Sequence, residues 1–143
     1  MADALVIGYG NDLRTDDGAG RWVADQIDEV GIDGIEVRSV AQLTPELALV
    51  VSGRDIVVFV DASVDATELT VERVEASGSS SDVVTHHGNP ATLLSMVPQI
   101  GDMPAEAWIV SIPATDLSMG FEMTAKTQEA AEAAVPAIIE LVS

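Results

Sequence analysis

Asp16-Asp17, Asp61 and His86-His87 are the side chains whose types would suit joint action on a cation. Two carboxylates and one imidazole are ligands for a borderline divalent metal, and such a set leaves coordination positions open for a substrate. Each residue also has a plainer role. An aspartate at a helix start caps the helix and meets its positive end. An aspartate after an apolar strand begins a turn, and a loop histidine is ordinarily solvated. The case for a shared site is that all of them fall at one expected edge of a sheet.

The aspartate pair sits in Gly8-Tyr9-Gly10-Asn11-Asp12-Leu13-Arg14-Thr15-Asp16-Asp17-Gly18-Ala19-Gly20, directly behind the apolar run Ala4-Leu5-Val6-Ile7. A strand followed by a glycine turn suggests a nucleotide site. A dinucleotide fingerprint, however, needs glycine where this chain has Leu13, and no Gly-Lys-Ser/Thr triplet occurs. Asp16 and Asp17 would also repel a pyrophosphate at the helix start. The turn is therefore read as a tight connection that carries carboxylates to the sheet edge. A nucleotide-binding regulator is the weakest of the functional alternatives.

The elements that must position these residues follow from periodicity. Residues 4–9 form a buried strand, and residues 17–30 a helix with Trp22, Val23, Ile27 and Val30 on one side. Gly31 and Gly34 end that helix. Residues 35–40 alternate like a half-buried strand. Thr44-Pro45 opens a helix, with threonine at the cap and proline in the first turn. The run 55–60 is almost unbroken in apolar residues, the pattern of a central strand covered on both faces. Residues 68–74 alternate and carry charge, as a protected edge strand does. Gly78-Ser79-Ser80-Ser81 is a loop, and Asn89-Pro90 starts a helix that reaches about Val97. Residues 108–112 form the last strand. Thr124 to Val142 forms the last helix, which Pro136 should kink or split. Alternating strands and helices imply an α/β domain, 1–143, with helices on both faces of a mainly parallel sheet. Ligands then bind beyond the carboxyl ends of strands, so the stretches after residues 9, 60, 74 and 112 matter most.

Composition narrows the partners. Acidic residues number 24 against 6 basic, a net charge of −18. That field repels nucleic acid and anionic membrane, and no apolar stretch approaches the roughly 18 residues of a membrane span. The chain has no cysteine, which excludes disulfides and thiolate metal sites and fits a cytoplasmic protein. Lys126 is the only lysine, a scarcity that would suit a high-salt cytoplasm.

The glycine–aspartate turn resembles the G-x-G-N-x-L-x-x-D-[DE]-x-x-G opening of [NiFe]-hydrogenase maturation endopeptidases. Gln42-Leu43-Thr44-Pro45-Glu46-Leu47, Val57-Val58-Phe59-Val60-Asp61-Ala62, and Thr85-His86-His87 with Pro90-Ala91-Thr92-Leu93-Leu94 resemble further segments of that family. The resemblance implies a three-layer α/β/α domain with a five-stranded, mostly parallel twisted sheet and one antiparallel strand, for which 68–74 is the candidate. It implies an aspartic-type endopeptidase that removes a C-terminal peptide from a hydrogenase large-subunit precursor after nickel insertion. Asp17, Asp61 and His86 would be its catalytic and metal-contacting residues. The nickel would come with the substrate, and other divalent metals could substitute. A non-catalytic metal-binding or chaperone-like maturation module with the same ligands is the alternative.

Two expectations concern neighbours in sequence. Asp16 and Asp17 cannot both point into one cleft, so Asp17 should face the site and Asp16 serve the turn or helix cap, at about 1 kcal/mol for a lost cap. His86 and His87 on an extended segment point to opposite sides, so one reaches the carboxylates, and His86 is the choice.

Overall fold

The computed structural model describes residues 3–76 and 89–143. Among these residues five strands form one sheet in the order β2-β1-β3-β5-β4: β1 Ala4–Tyr9, β2 Ile35–Val40, β3 Ile56–Ser63, β4 Thr70–Arg73 and β5 Glu106–Pro113. The pairings of β1 with β2, β1 with β3 and β3 with β5 are parallel. β4 runs antiparallel to β5 at one edge, where its exposed Glu72 and Arg73 discourage further pairing.

Burial explains the strand patterns. Residues 4–8 and 56–60 lie between two helical layers, so both faces must be apolar. On one face Ala4, Val6, Val58, Val60 and Ile112 pack with helices α1 (Ala19–Val30) and α4 (Ala125–Val142). On the other Leu5, Ile7, Val57 and Phe59 pack with α2 (Ala48–Val51) and α3 (Pro90–Met96). The arrangement is the three-layer α/β/α architecture. Among the described residues no helix is long and apolar enough to cross a membrane.

Several local expectations are refined. The first helix is preceded by a separate 3-10 turn, Thr15–Gly18, and Val30 at its far end is exposed. Gly31 closes α1 in a left-handed conformation. Asn89 caps α3 by accepting a hydrogen bond from the Thr92 backbone at 2.8 Å. Pro136 does not split the last helix, which runs unbroken from Ala125 to Val142. Pro136 and Glu132, whose carbonyl loses its partner, are both exposed to water, while Ala131, Ala134, Ile138 and Val142 pin both halves to the sheet. The loop expected at 78–81 lies outside the described residues.

Strand order decides where a ligand can sit. From β1 the chain moves to β2 on one side, then returns to β3 on the other, so the order reverses between β1 and β3. The crevice beyond the carboxyl ends of these two strands is the switch point of an open α/β sheet.

Candidate functional site at the switch point

The turn that follows β1 is built by close packing. A β-carbon on Gly20 would strike the carbonyl oxygen of Val60, so only glycine lets the start of α1 lie against β3. Gly10 has φ +147° and faces the Asp17 carbonyl, which folds the chain back on itself. The Asn11 backbone N–H then donates to Asp17 Oδ2 at 2.9 Å, and the Asp17 N–H donates to the Arg14 carbonyl at 2.9 Å. Asn11 Oδ1 closes its own local turn by accepting from the Leu13 N–H. Asp12 is exposed and pairs with Arg21 at 3.3 Å.

Asp16 and Asp17 diverge. Asp16 has no exposed surface. Its Oδ2 accepts from the backbone N–H groups of Thr115 (2.9 Å) and Asp116 (3.0 Å), and its Oδ1 from the Thr124 N–H (2.7 Å). The hydroxyls of Thr115 and Thr124 add further bonds. Burial acts to raise its pKa, but the donors of Thr115, Thr124 and Asp116 outweigh it and hold the carboxyl at about 2. Asp16 is thus a structural anion that ties the turn to the segment between β5 and α4. The expected helix-cap role is corrected: no side chain caps the 3-10 turn or α1, and the carboxylate instead gathers three backbone donors from the distant segment, more than the one a cap would offer. Asp17 is half-buried beside the switch point.

Asp61 lies within β3, which continues to Ser63. The residue therefore does not begin a turn, since parallel pairing with β5 extends through Ser63 and Pro113. Ser111 is its register partner on β5. On the other side the Tyr9 hydroxyl, at the end of β1, donates to Asp61 Oδ2 at 3.0 Å. Oδ1 is buried and has no hydrogen-bond partner among the described residues. Burial pushes the Asp61 carboxyl up to about 6; the Tyr9 hydrogen bond and the nearby Ser111 side chain, which closes no hydrogen bond to Oδ1, oppose the rise, and the negative charge of Asp17 adds to it. Burial and the adjacent Asp61 also raise the Tyr9 phenol. One carboxylate from β3 and one from the turn after β1 thus share the switch point, with one acceptor atom unsatisfied. By its chemistry such an arrangement could accept a cation or a strong donor.

Among the described residues no three His, Cys, Asp or Glu side chains form a metal-binding group. His86 and His87 lie outside the described residues. The expectation that the stretch after residue 74 leaves from the same edge is corrected: β4 is antiparallel, so Val74 pairs with Ala107 near the start of β5, at the opposite edge. The helix that follows the histidines sets where their segment ends. Beyond α3, Asp102 bonds to Gly53 and Ser52 beside the start of β3. α3 therefore runs against the direction of β3, and Asn89 lies toward the carboxyl ends of the strands.

Sequence reasoning did not single out Tyr9, Thr115 or Thr124. The one signal that could have found Tyr9 is parity. Tyr9 falls on the same face of β1 as Leu5 and Ile7, and Asp61 on the same face of β3 as Val57 and Phe59.

No protein-family model matches the chain, and neither does any curated protein. Solved structures do. The hydrogenase maturating endopeptidase HybD from E. coli is 20% identical, with a TM-score of 0.78 over 96% of this chain and 90% of that one. The fold is that of the hydrogenase maturation endopeptidases. A hydrogenase 2 maturation peptidase from a Thaumarchaeota archaeon is 25% identical, with a TM-score of 0.72 over 96% of each chain. The [NiFe] hydrogenase maturation protease HycI from Thermococcus kodakarensis is 22% identical, with a TM-score of 0.72 over 99% of this chain and 92% of that one. The maturation-endopeptidase fold therefore spans essentially the whole chain, switch point included.

Proposed function

We propose that the protein is a cytoplasmic endopeptidase of hydrogenase maturation. It would remove a C-terminal peptide from a nickel-loaded large-subunit precursor, using Asp17, Asp61 and His86. The observation that carries this reading is the pairing of Asp17 and Asp61 at the switch point, with Asp61 Oδ1 buried and unpaired among the described residues. Nickel arrives as part of the substrate. Asp17 and Asp61 offer it oxygen atoms, and His86, three residues ahead of the Asn89 cap, offers an imidazole. Another divalent metal with the same ligand preference could take its place. Held there, the cation supplies Lewis-acid chemistry toward the scissile carbonyl or a water. The chain's own contribution is to anchor the loaded tail and fix it beside the peptide bond. A polypeptide substrate also suits the surroundings: Leu13, Met119 and Phe121 are exposed, and the Gly120 N–H donates to the Leu13 carbonyl, so these side chains rim the same turn.

The test is incubation of a candidate large-subunit precursor with and without nickel, read by mass spectrometry. Cleavage is expected only of the nickel-loaded form, and it should be abolished in Asp17→Asn and in His86→Ala but retained in His87→Ala. Equal cleavage of both forms overturns the role of nickel. Binding without cleavage identifies a maturation module rather than a peptidase.

A further inference from the structure

A side-chain hydrogen bond between Tyr9 and Asp61 spans the β1–β3 switch point. Tyr9 is partly buried and packs against the apolar cluster of the α2–α3 face that contains Ile7 and Phe59, which restricts where its hydroxyl can go. A phenol has a single proton to donate, and here it goes to Oδ2. The carboxylate torsion of an aspartate is otherwise broad and roughly two-fold. With Oδ2 committed, Oδ1 is left as the buried acceptor with no partner among the described residues.

We propose that Tyr9 is a positioning residue: its hydroxyl holds Oδ2 of Asp61 so that Oδ1 is the atom presented to the substrate's cation. The proposal rests on the reading of Asp61 as a cation ligand. It adds that one specific oxygen does the work and that the end of β1 selects it. Partners that orient a ligating carboxylate typically contribute 10–100-fold in metal affinity or activity.

Tyr9→Phe keeps the ring and deletes the donor. On nickel-loaded precursor it is expected to lower kcat/KM by roughly 10–100-fold, mainly through KM, with the circular dichroism spectrum retained. Tyr9 is also the only tyrosine in the chain, so growth on 3-fluorotyrosine labels this position alone. The single ¹⁹F resonance should move when cadmium chloride alone is added to the labelled protein, and stay put in Asp61→Asn. A folded Tyr9→Phe variant with kcat/KM within about twofold of wild type overturns the proposal, as does a ¹⁹F resonance that ignores cadmium. If the unaltered protein fails to cleave the loaded precursor, the peptidase reading fails, and the ¹⁹F measurement still decides the role of Tyr9. The same measurement decides it if Tyr9→Phe does not fold.

Discussion

Asp61 places a carboxyl just past the fully buried part of β3, where its folded pKa, about 6, lies above the ordinary 3.8. The proton therefore binds more tightly in the native state. The stability this contributes is full below pH 3.8 and is lost as pH rises through about 6. A rise of that size corresponds to at most about 3 kcal/mol, and partial solvent access reduces it toward 1–2 kcal/mol. Above pH 6 the native state carries a buried charge that its neighbours only partly offset. Asp61→Asn removes that charge. Thermal melts should show the variant more stable than wild type at pH 8 by about 1–2 kcal/mol, with the gain shrinking toward pH 5. Processing activity should be lost at both values. A variant equally destabilised at both pH values would mean that the carboxylate is a structural group.

At the scale of elements, the decisive connection is between the turn after β1 and the segment joining β5 to α4. Asp16 reaches about 100 residues along the chain to Thr115, Asp116 and Thr124. Thr15 adds its N–H to the Gly120 carbonyl and its hydroxyl to the Ser118 carbonyl, at the expense of a left-handed backbone with φ 48°. These bonds brace the loop that presents Asp17. The Asp16 pKa is depressed from 3.8 to about 2. Its contribution is thus present above pH 3.8 and lost as pH falls through about 2, and it amounts to about 2–3 kcal/mol. Asp16→Asn puts an amide among donors that need an acceptor. It should lower unfolding stability by about 2–4 kcal/mol at pH 7, measured by denaturant midpoint, and raise the mobility of the 115–124 segment in hydrogen exchange. A loss below about 1 kcal/mol would reduce Asp16 to an ordinary cap.

At the scale of the molecule, net charge dominates. Arg21, Arg38, Arg54 and Arg73 already sit in ion pairs with acidic residues, and Arg54 bridges Asp3 and Glu36. A charge of −18 on 143 residues is otherwise uncompensated. Like-charge repulsion weakens the compact state, and salt screens it, the Debye length falling from about 10 Å at 0.1 M to about 3 Å at 1 M. Raising NaCl over that range should raise the melting temperature by roughly 3–8 °C, the equivalent of about 1–2 kcal/mol for a domain of this size. A melting temperature that falls with salt would show that the ion pairs outweigh the repulsion.

Part of this was determined by the sequence alone. β1 and β3 are legible because burial on two faces demands contiguous apolar residues, and the charged alternation of 68–74 marks an edge because an interior strand could not bury Glu72 and Arg73. The α1 stop at Gly31 and the Asn89 cap are legible because they are local: each satisfies backbone groups within four residues. That Asp16 and Asp17 diverge was legible because adjacent side chains cannot both enter one cleft, although where the Asp16 carboxylate goes was not, since its donors lie about 100 residues away. The five-stranded sheet and its one antiparallel member came from the family resemblance, since periodicity carries no strand direction. Tertiary structure alone decided the rest. Tyr9 meets Asp61 only because β1 lies beside β3. The donors of Asp16 come from residues that share nothing with it in local pattern. Those contacts depend on strand order and register, which the packing of both helical layers sets collectively, whereas periodicity reports only which face of its own element a residue occupies.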